Sequence, residues 1–176
     1  MNKYALAKLV ESVDSVDARK RLQKCVFLLQ TAGCKLDAKF RLHYYGPYSR
    51  DVAQATDLLA HSGVFDEESH RHDWGERYSY KITDHGRELV SNHEATQEGA
   101  QDKEAVAPYL ELFGKLNSLA LWPLELAATI AFFYRQKGLS WEEAKKNTAQ
   151  FKNVGLGEQV LVEAEELARE HVLPGS

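Results

Sequence analysis

Leu6, Leu9, Val10 and Val13 recur at i, i+3, i+4 and i+7, the spacing that lines one face of a helix, and predict a core-facing first helix over about residues 2–13. Asp17 is placed to cap a second helix, in which Leu22, Cys25, Val26 and Leu29 form the inner stripe. On this reading Lys20 and Lys24 project from the far side one turn apart, and Gly33 ends the helix. Phe27 and Leu28 fall outside the stripe. A helix apolar over that much of its circumference needs cover from another part of the chain or from a partner.

The period then changes to two. Phe40, Leu42 and Tyr44 alternate with Arg41, His43 and Tyr45, which predicts a short half-buried strand broken by Gly46-Pro47. Ser49 suits the amino-cap of a third helix with Val52, Ala55 and Leu59 inward, Arg50, Gln54, Asp57 and His61 outward, and Gly63 closing it. Val64 and Phe65 open a strand, a polar tip runs over residues 66–75, and Tyr78, Tyr80 and Ile82 share one face of the returning strand. Thr83-Asp84 caps a further helix through Val90. Three helices, a β-hairpin and a closing helix in that order predict a winged helix-turn-helix domain over residues 1–92, within a mainly α, α+β chain.

Residues 93–106 are polar and poor in large apolar groups, as a linker is, and residues 107–176 read as a helical extension. Pro108 fits the first turn of a helix with Tyr109, Leu112, Phe113 and Leu116 on one face. The run from Leu124 to Tyr134 is apolar almost all round and should be central to the carboxyl-terminal core. Ser140-Trp141-Glu142-Glu143 reads as a capping box, and Val160, Ala164, Leu167 and His171 as the stripe of a last helix. The apolar excess of this half is expected either to pack on the first domain or to form a homodimer.

A chain of 176 residues can bury a core without disulfide or metal staples. Its two cysteines, Cys25 and Cys34, are expected as small buried hydrophobes. The amino terminus leads straight into an amphipathic pattern and no run approaches the ~18 apolar residues of a membrane span, so a cytoplasmic location is expected. The formal charge of −4 is uneven: residues 1–60 hold 10 Lys and Arg against 6 Asp and Glu, while the rest is acidic.

Leu22-Gln23-Lys24-Cys25-Val26-Phe27-Leu28, then Tyr45-Gly46-Pro47-Tyr48-Ser49, then Leu58-Leu59 and Gly63-Val64, in that order, resemble the YwgA-like and SocA-like (Panacea) antitoxin-type families over the first half of the chain. Cys25-Val26-Phe27 stands where those families carry a Leu-Leu-Tyr-like run. The resemblance implies a winged-helix module tied to toxin neutralisation, phage defence or mobile elements and regulation. It places Gln23, Lys24, Tyr45, Gly46, Pro47 and Tyr48 at the motif positions, hence as candidate partner-binding residues.

Charge weighs between protein and DNA as the partner. Lys20, Lys24, Arg41, Arg50 and Gln54 are the residue types that contact phosphates and base edges. Against them, Asp57 shares the outer line of the third helix, and the hairpin carries Asp66, Glu67, Glu68, Asp73 and Glu76 where backbone contact is expected. Tyr44, Tyr45 and Tyr48, with Phe27 and Trp74 near in chain order, offer the amphipathic aromatics of protein interfaces. His70 and His72 beside acidic residues lack the cysteine pairs of structural zinc sites. His43, His85 and His93 have no nucleophile at motif spacing, and no phosphate-cradling glycine loop is present. The expectation is a non-enzymatic regulatory protein without metal or cofactor, binding a protein in the antitoxin or adaptor manner; the alternative is a homodimeric DNA-binding transcriptional regulator.

Overall fold

The computed structural model describes residues 1–72 and 75–172, the side chains at 70–72, 75 and 76 excepted. Among the described residues the chain is mainly helical with two small antiparallel sheets. Helix α1 spans Lys3–Glu11, capped by Asn2, whose Oδ1 accepts the Ala5 N–H. A two-residue strand β1 (Val16–Asp17) precedes α2 (Arg19–Thr31). Asp17 therefore pairs in a sheet and does not cap α2; the cap position belongs to Ala18, held at φ 80° with no side-chain bond. The signal for β1 is only two residues long, too short for a period to show in the sequence.

Phe40 leads into a hairpin of β2 (Arg41–His43) and β3 (Gly46–Tyr48), paired in the register Arg41 with Tyr48, Leu42 with Pro47 and His43 with Gly46. Gly46-Pro47 thus continues the sheet on its second strand and does not break it. Pro47 is tolerated because a two-stranded ribbon leaves it an edge that needs no donor. Ser49 then caps α3 (Arg50–His61), its hydroxyl accepting the Val52 N–H. Strands β4 (Phe65–His72) and β5 (Gly75–Ile82) form the longer hairpin, and β1 adds to β5 to give the order β1-β5-β4. Thr83 caps α4 (Asp84–Glu94), as its spacing predicts.

The stretch 93–106, expected as a linker, is the end of α4 followed by α5 (Gln97–Val106). Thr96 caps α5 by accepting the Gly99 N–H, and Gly99 lies so close to the His93 carbonyl that no Cβ would fit. The helix is largely polar and is held by packing on α1 and α4, which is why its sequence looks like a linker. A 3₁₀ turn at Ala107–Tyr109 carries Pro108 into α6 (Leu110–Ser118). Helices α7 (Leu121–Lys137), α8 (Trp141–Lys152) and α9 (Gln159–His171) follow, with the capping box at Ser140 and Glu143 formed in both directions. The inner stripe of α9 is Leu161, Ala164 and Ala168, one position on from Val160 and Leu167, which are only half-buried.

Helices α2 and α7 bury eight and nine residues respectively and pack on each other. Phe27 stands edge-on to Phe40 at 5.0 Å and meets Phe132 of α7 at 6.0 Å. The cover that the apolar circumference of α2 demands comes from the chain's own carboxyl-terminal half. Phe27 is accordingly core and not an interface aromatic. Arg21 ties the same seam, donating to the carbonyls of Asn117 and Leu119 at 2.6 Å each. Cys25 and Cys34 are free thiols buried in this core, and burial pushes them up to about 12 and about 11.

Candidate partner-binding surface

Residues of the Gln23-Lys24 and Tyr45–Tyr48 stretches close into a clamp beneath the β2–β3 hairpin. Gln23, buried on α2, uses both ends of its amide on Ser49: Oε1 accepts the Ser49 N–H at 2.8 Å and Nε2 donates to the Ser49 carbonyl at 2.9 Å. Lys24 donates to the Pro47 carbonyl at 2.8 Å. With 2% of its surface exposed, Lys24 does not project from the far side of α2 beside Lys20. The long lysine stem can run along an apolar face and bring the ammonium to a carbonyl, a geometry that helix spacing does not reveal.

On the other side the hairpin is held by α7 and α8. Lys152 donates to the Tyr44 carbonyl at 2.8 Å and forms an ion pair with Glu125, both side chains being almost wholly buried. Gly46 adopts φ +84°, and a Cβ there would stand 2.6 Å from the Thr129 hydroxyl, so this position needs glycine for conformation and for space. Thr129 in turn donates to the Glu125 carbonyl at 2.7 Å. Two lysines and one carboxylate share this buried place, an excess of one positive charge. Desolvation lowers the Lys24 ammonium to about 8, Glu125 opposing the shift and the neighbouring Lys152 and Lys20 adding to it.

The clamp leaves the tip of the hairpin outside. Tyr44 is 76% and Tyr45 42% exposed, with Tyr48 also exposed on β3. Tyr44 and Tyr45 meet edge to face at 5.1 Å, the Lys20 ammonium lies 3.2 Å from the centroid of the Tyr45 ring, and His43 packs by Tyr45 and Tyr48. Three cavities surround the tip. One of about 190 Å³ lies among α2, α3 and the hairpin, with Leu22, Val52 and Ala53 among its apolar lining. A second, of about 420 Å³, runs from Lys20 and Tyr45 to Trp122 and Phe151, both exposed. A third, of about 700 Å³, brings Lys39, Arg41 and Arg50 together beside His43 and Tyr48.

Of the motif residues, Tyr45 and Tyr48 are on the surface, whereas Gln23, Lys24, Gly46 and Pro47 are buried and position them. Of the residues suited to DNA, Arg41, Arg50 and Gln54 are exposed, Lys20 is half-buried against Tyr45, and Lys24 is withdrawn. A continuous basic face through all of them does not form. His72 and Trp74 fall outside the described side chains, and with them the histidine cluster at the tip of the longer hairpin. Lys152, Glu125, Thr129, Trp122 and Phe151 belong to the site without having been expected. Glu125 gave the one available signal, being the sole acidic residue in the apolar run of α7.

The chain is similar to the uncharacterized protein YwgA of Bacillus subtilis (strain 168), 25% identical over 148 residues that cover 84% of this chain and 82% of that protein. The match extends well beyond the amino-terminal half that carries the motifs, and supports the YwgA-like side of the resemblance. No family model matches the chain.

Proposed function

We propose that the protein is a non-enzymatic regulatory module of the protein-binding, antitoxin or adaptor type. In this reading α1 to α4 with the β1-β5-β4 sheet make a winged helix-turn-helix unit, and the β2–β3 tip makes the contact. The observation that carries it is the pairing of a tyrosine tip held outside with carbonyls pinned from behind by Lys24, Lys152 and Gln23. Aromatic anchors on a preorganised loop lose little entropy on docking, which is how a few residues come to dominate an interface. The test is capture of partners on immobilised protein: Tyr44→Ala/Tyr45→Ala should lose a specific partner while keeping the wild-type melting temperature. Retention of every specifically captured protein by that variant sinks the reading.

A second reading, a homodimeric DNA-binding regulator, draws on the exposure of Arg41, Arg50 and Gln54 around the start of α3. Against it, Arg19 is engaged by Glu67 at 3.0 Å and Asp57 at 3.8 Å, and β4 adds Asp66 and Glu68 near the phosphates such a helix would approach. Duplex DNA binding that falls steeply with salt and disappears in Arg41→Glu/Arg50→Glu would put this reading first.

A further inference from the structure

The cavities around the hairpin tip differ in charge from the rest of the molecule. Arg19 can be set aside, since it is paired with Glu67 and Asp57. What remains along the three walls is Lys20, Lys24 and Lys152 on one side and Lys39, Arg41 and Arg50 on the other. Asp57 lines the first cavity too and is set aside with Arg19, to which it is paired; the other carboxylates facing these cations are Glu125 and Asp51. Six cations against two carboxylates leave +4 here, in a chain of formal charge −4. Glu125 is already taken by Lys152, and Asp51 accepts the backbone N–H of Lys39 at 2.8 Å. The excess positive charge therefore lacks an internal counterpart among the residues lining the cavities.

The shape narrows what could supply the counterpart. At about 190 Å³ the cavity between α2, α3 and the hairpin is smaller than the ~300–1,000 Å³ of typical small-molecule sites, yet far larger than a water needs. Leu22, Val52 and Ala53 give it an apolar lining, and it is continuous in residues with both neighbours: Lys20 and Tyr45 also line the second cavity, His43 and Tyr48 the third. A single side chain fits such a space. A nucleic-acid strand fits less well, because one face of Tyr45 is already covered by Lys20 and a phosphate backbone has nothing apolar to place against Leu22 and Val52.

We propose that this surface binds an acidic peptide segment of a partner protein, with one large apolar side chain seated in the cavity among Leu22, Val52 and Ala53 and its flanking carboxylates met by Lys20, Arg41 and Arg50. This rests on the protein-binding reading above and adds the chemistry of the partner. Burial of the anchor supplies affinity, and the cationic rim supplies attraction over distance and selection against basic partners.

A randomised heptapeptide display library selected on the full chain tests it, followed by fluorescence anisotropy with the recovered peptides. The expected peptides are rich in Asp and Glu around one large apolar residue, and lose about tenfold or more in affinity when that residue becomes Ala. Arg41→Glu/Arg50→Glu should weaken them about tenfold, a loss that shrinks as salt rises. Ala53→Trp, which fills the cavity, should weaken the anchored peptide and leave its Ala version unchanged; Ala53→Leu serves if the larger residue lowers the melting temperature. Neutral or basic peptides, or acidic ones indifferent to Ala53, overturn the proposal; if those peptides still require Tyr44 and Tyr45, the protein-binding reading survives. An empty selection overturns the proposal as well. If that protein also shows salt-sensitive DNA binding that is lost in Arg41→Glu/Arg50→Glu, the protein-binding reading falls with it.

Discussion

Glu125 does more than its place in an apolar helix suggests, because it is the one carboxylate among the buried charges under the hairpin. It offsets Lys152 directly and Lys24 through space. Removing it strands two ammonium groups away from water, so Glu125→Gln should destabilise the protein by about 3–5 kcal/mol in denaturant unfolding. Lys24→Met should behave differently. It loses the bond to the Pro47 carbonyl but leaves the Glu125–Lys152 pair balanced, and the relief of desolvation should keep the net change to about 1 kcal/mol or less. The same residue gives a pH signature. Its ammonium is lowered to about 8 in the fold from 10.5, so between these values the unfolded chain binds the extra proton. The penalty of burying the charge is fully present below about 8 and is relieved as pH rises towards 10.5. Unfolding curves across that window should show the wild type gaining stability relative to Lys24→Met; a flat difference would mean that Lys24 is as well solvated in the fold as out of it.

Among the elements, α5 is the one whose role changed most from the sequence expectation, and Glu94 explains what holds it. At the end of α4 this carboxylate accepts the Tyr4 hydroxyl at 2.9 Å and pairs at 2.7 Å with both Lys8 of α1 and Lys103 of α5. Burial alone would raise it, but the bonds from Lys103, Lys8 and Tyr4 prevail and hold it at about 2. A depressed carboxylate contributes its stability above its ordinary value of 4.5 and loses it as pH falls through about 2. Glu94→Gln should therefore be least stable relative to wild type near neutrality, with the gap closing as acid is added across that window. Hydrogen exchange should report the loosening first in α5, which has few buried residues of its own. Uniform change across the molecule would remove Glu94 from this role.

For the whole molecule, the joint burial of α2 and α7 means that the two halves share one core. A chain ending at residue 106 uncovers Phe27 and removes Thr129 and Lys152 from behind the hairpin; it should bind a hydrophobic dye and lack near-ultraviolet dichroism. A cooperative transition from such a chain would show that the amino-terminal half folds alone. Much of this plan was legible in the residues. The i, i+3, i+4 stripes, the capping residues Ser49, Thr83 and Ser140, and the excess of apolar surface on α2 are local signals, since they act within a turn or two of the chain. So was the motif that led to Tyr45 and Tyr48. Its division of labour was not: whether Lys24 points to water or to the Pro47 carbonyl depends on α7 lying over it, and β1, α5 and the hold of Lys152 on the Tyr44 carbonyl join residues with no fixed spacing. Local signals are enough to place every helix but α5, the caps at Ser49, Thr83 and Ser140, and the need for α2 to be covered, because hydrogen bonding and amphipathicity operate over short stretches. Which motif residues are buried braces and which are exposed contacts is a matter of three-dimensional packing, because burial and pairing of charges are settled by segments that meet across more than a hundred residues.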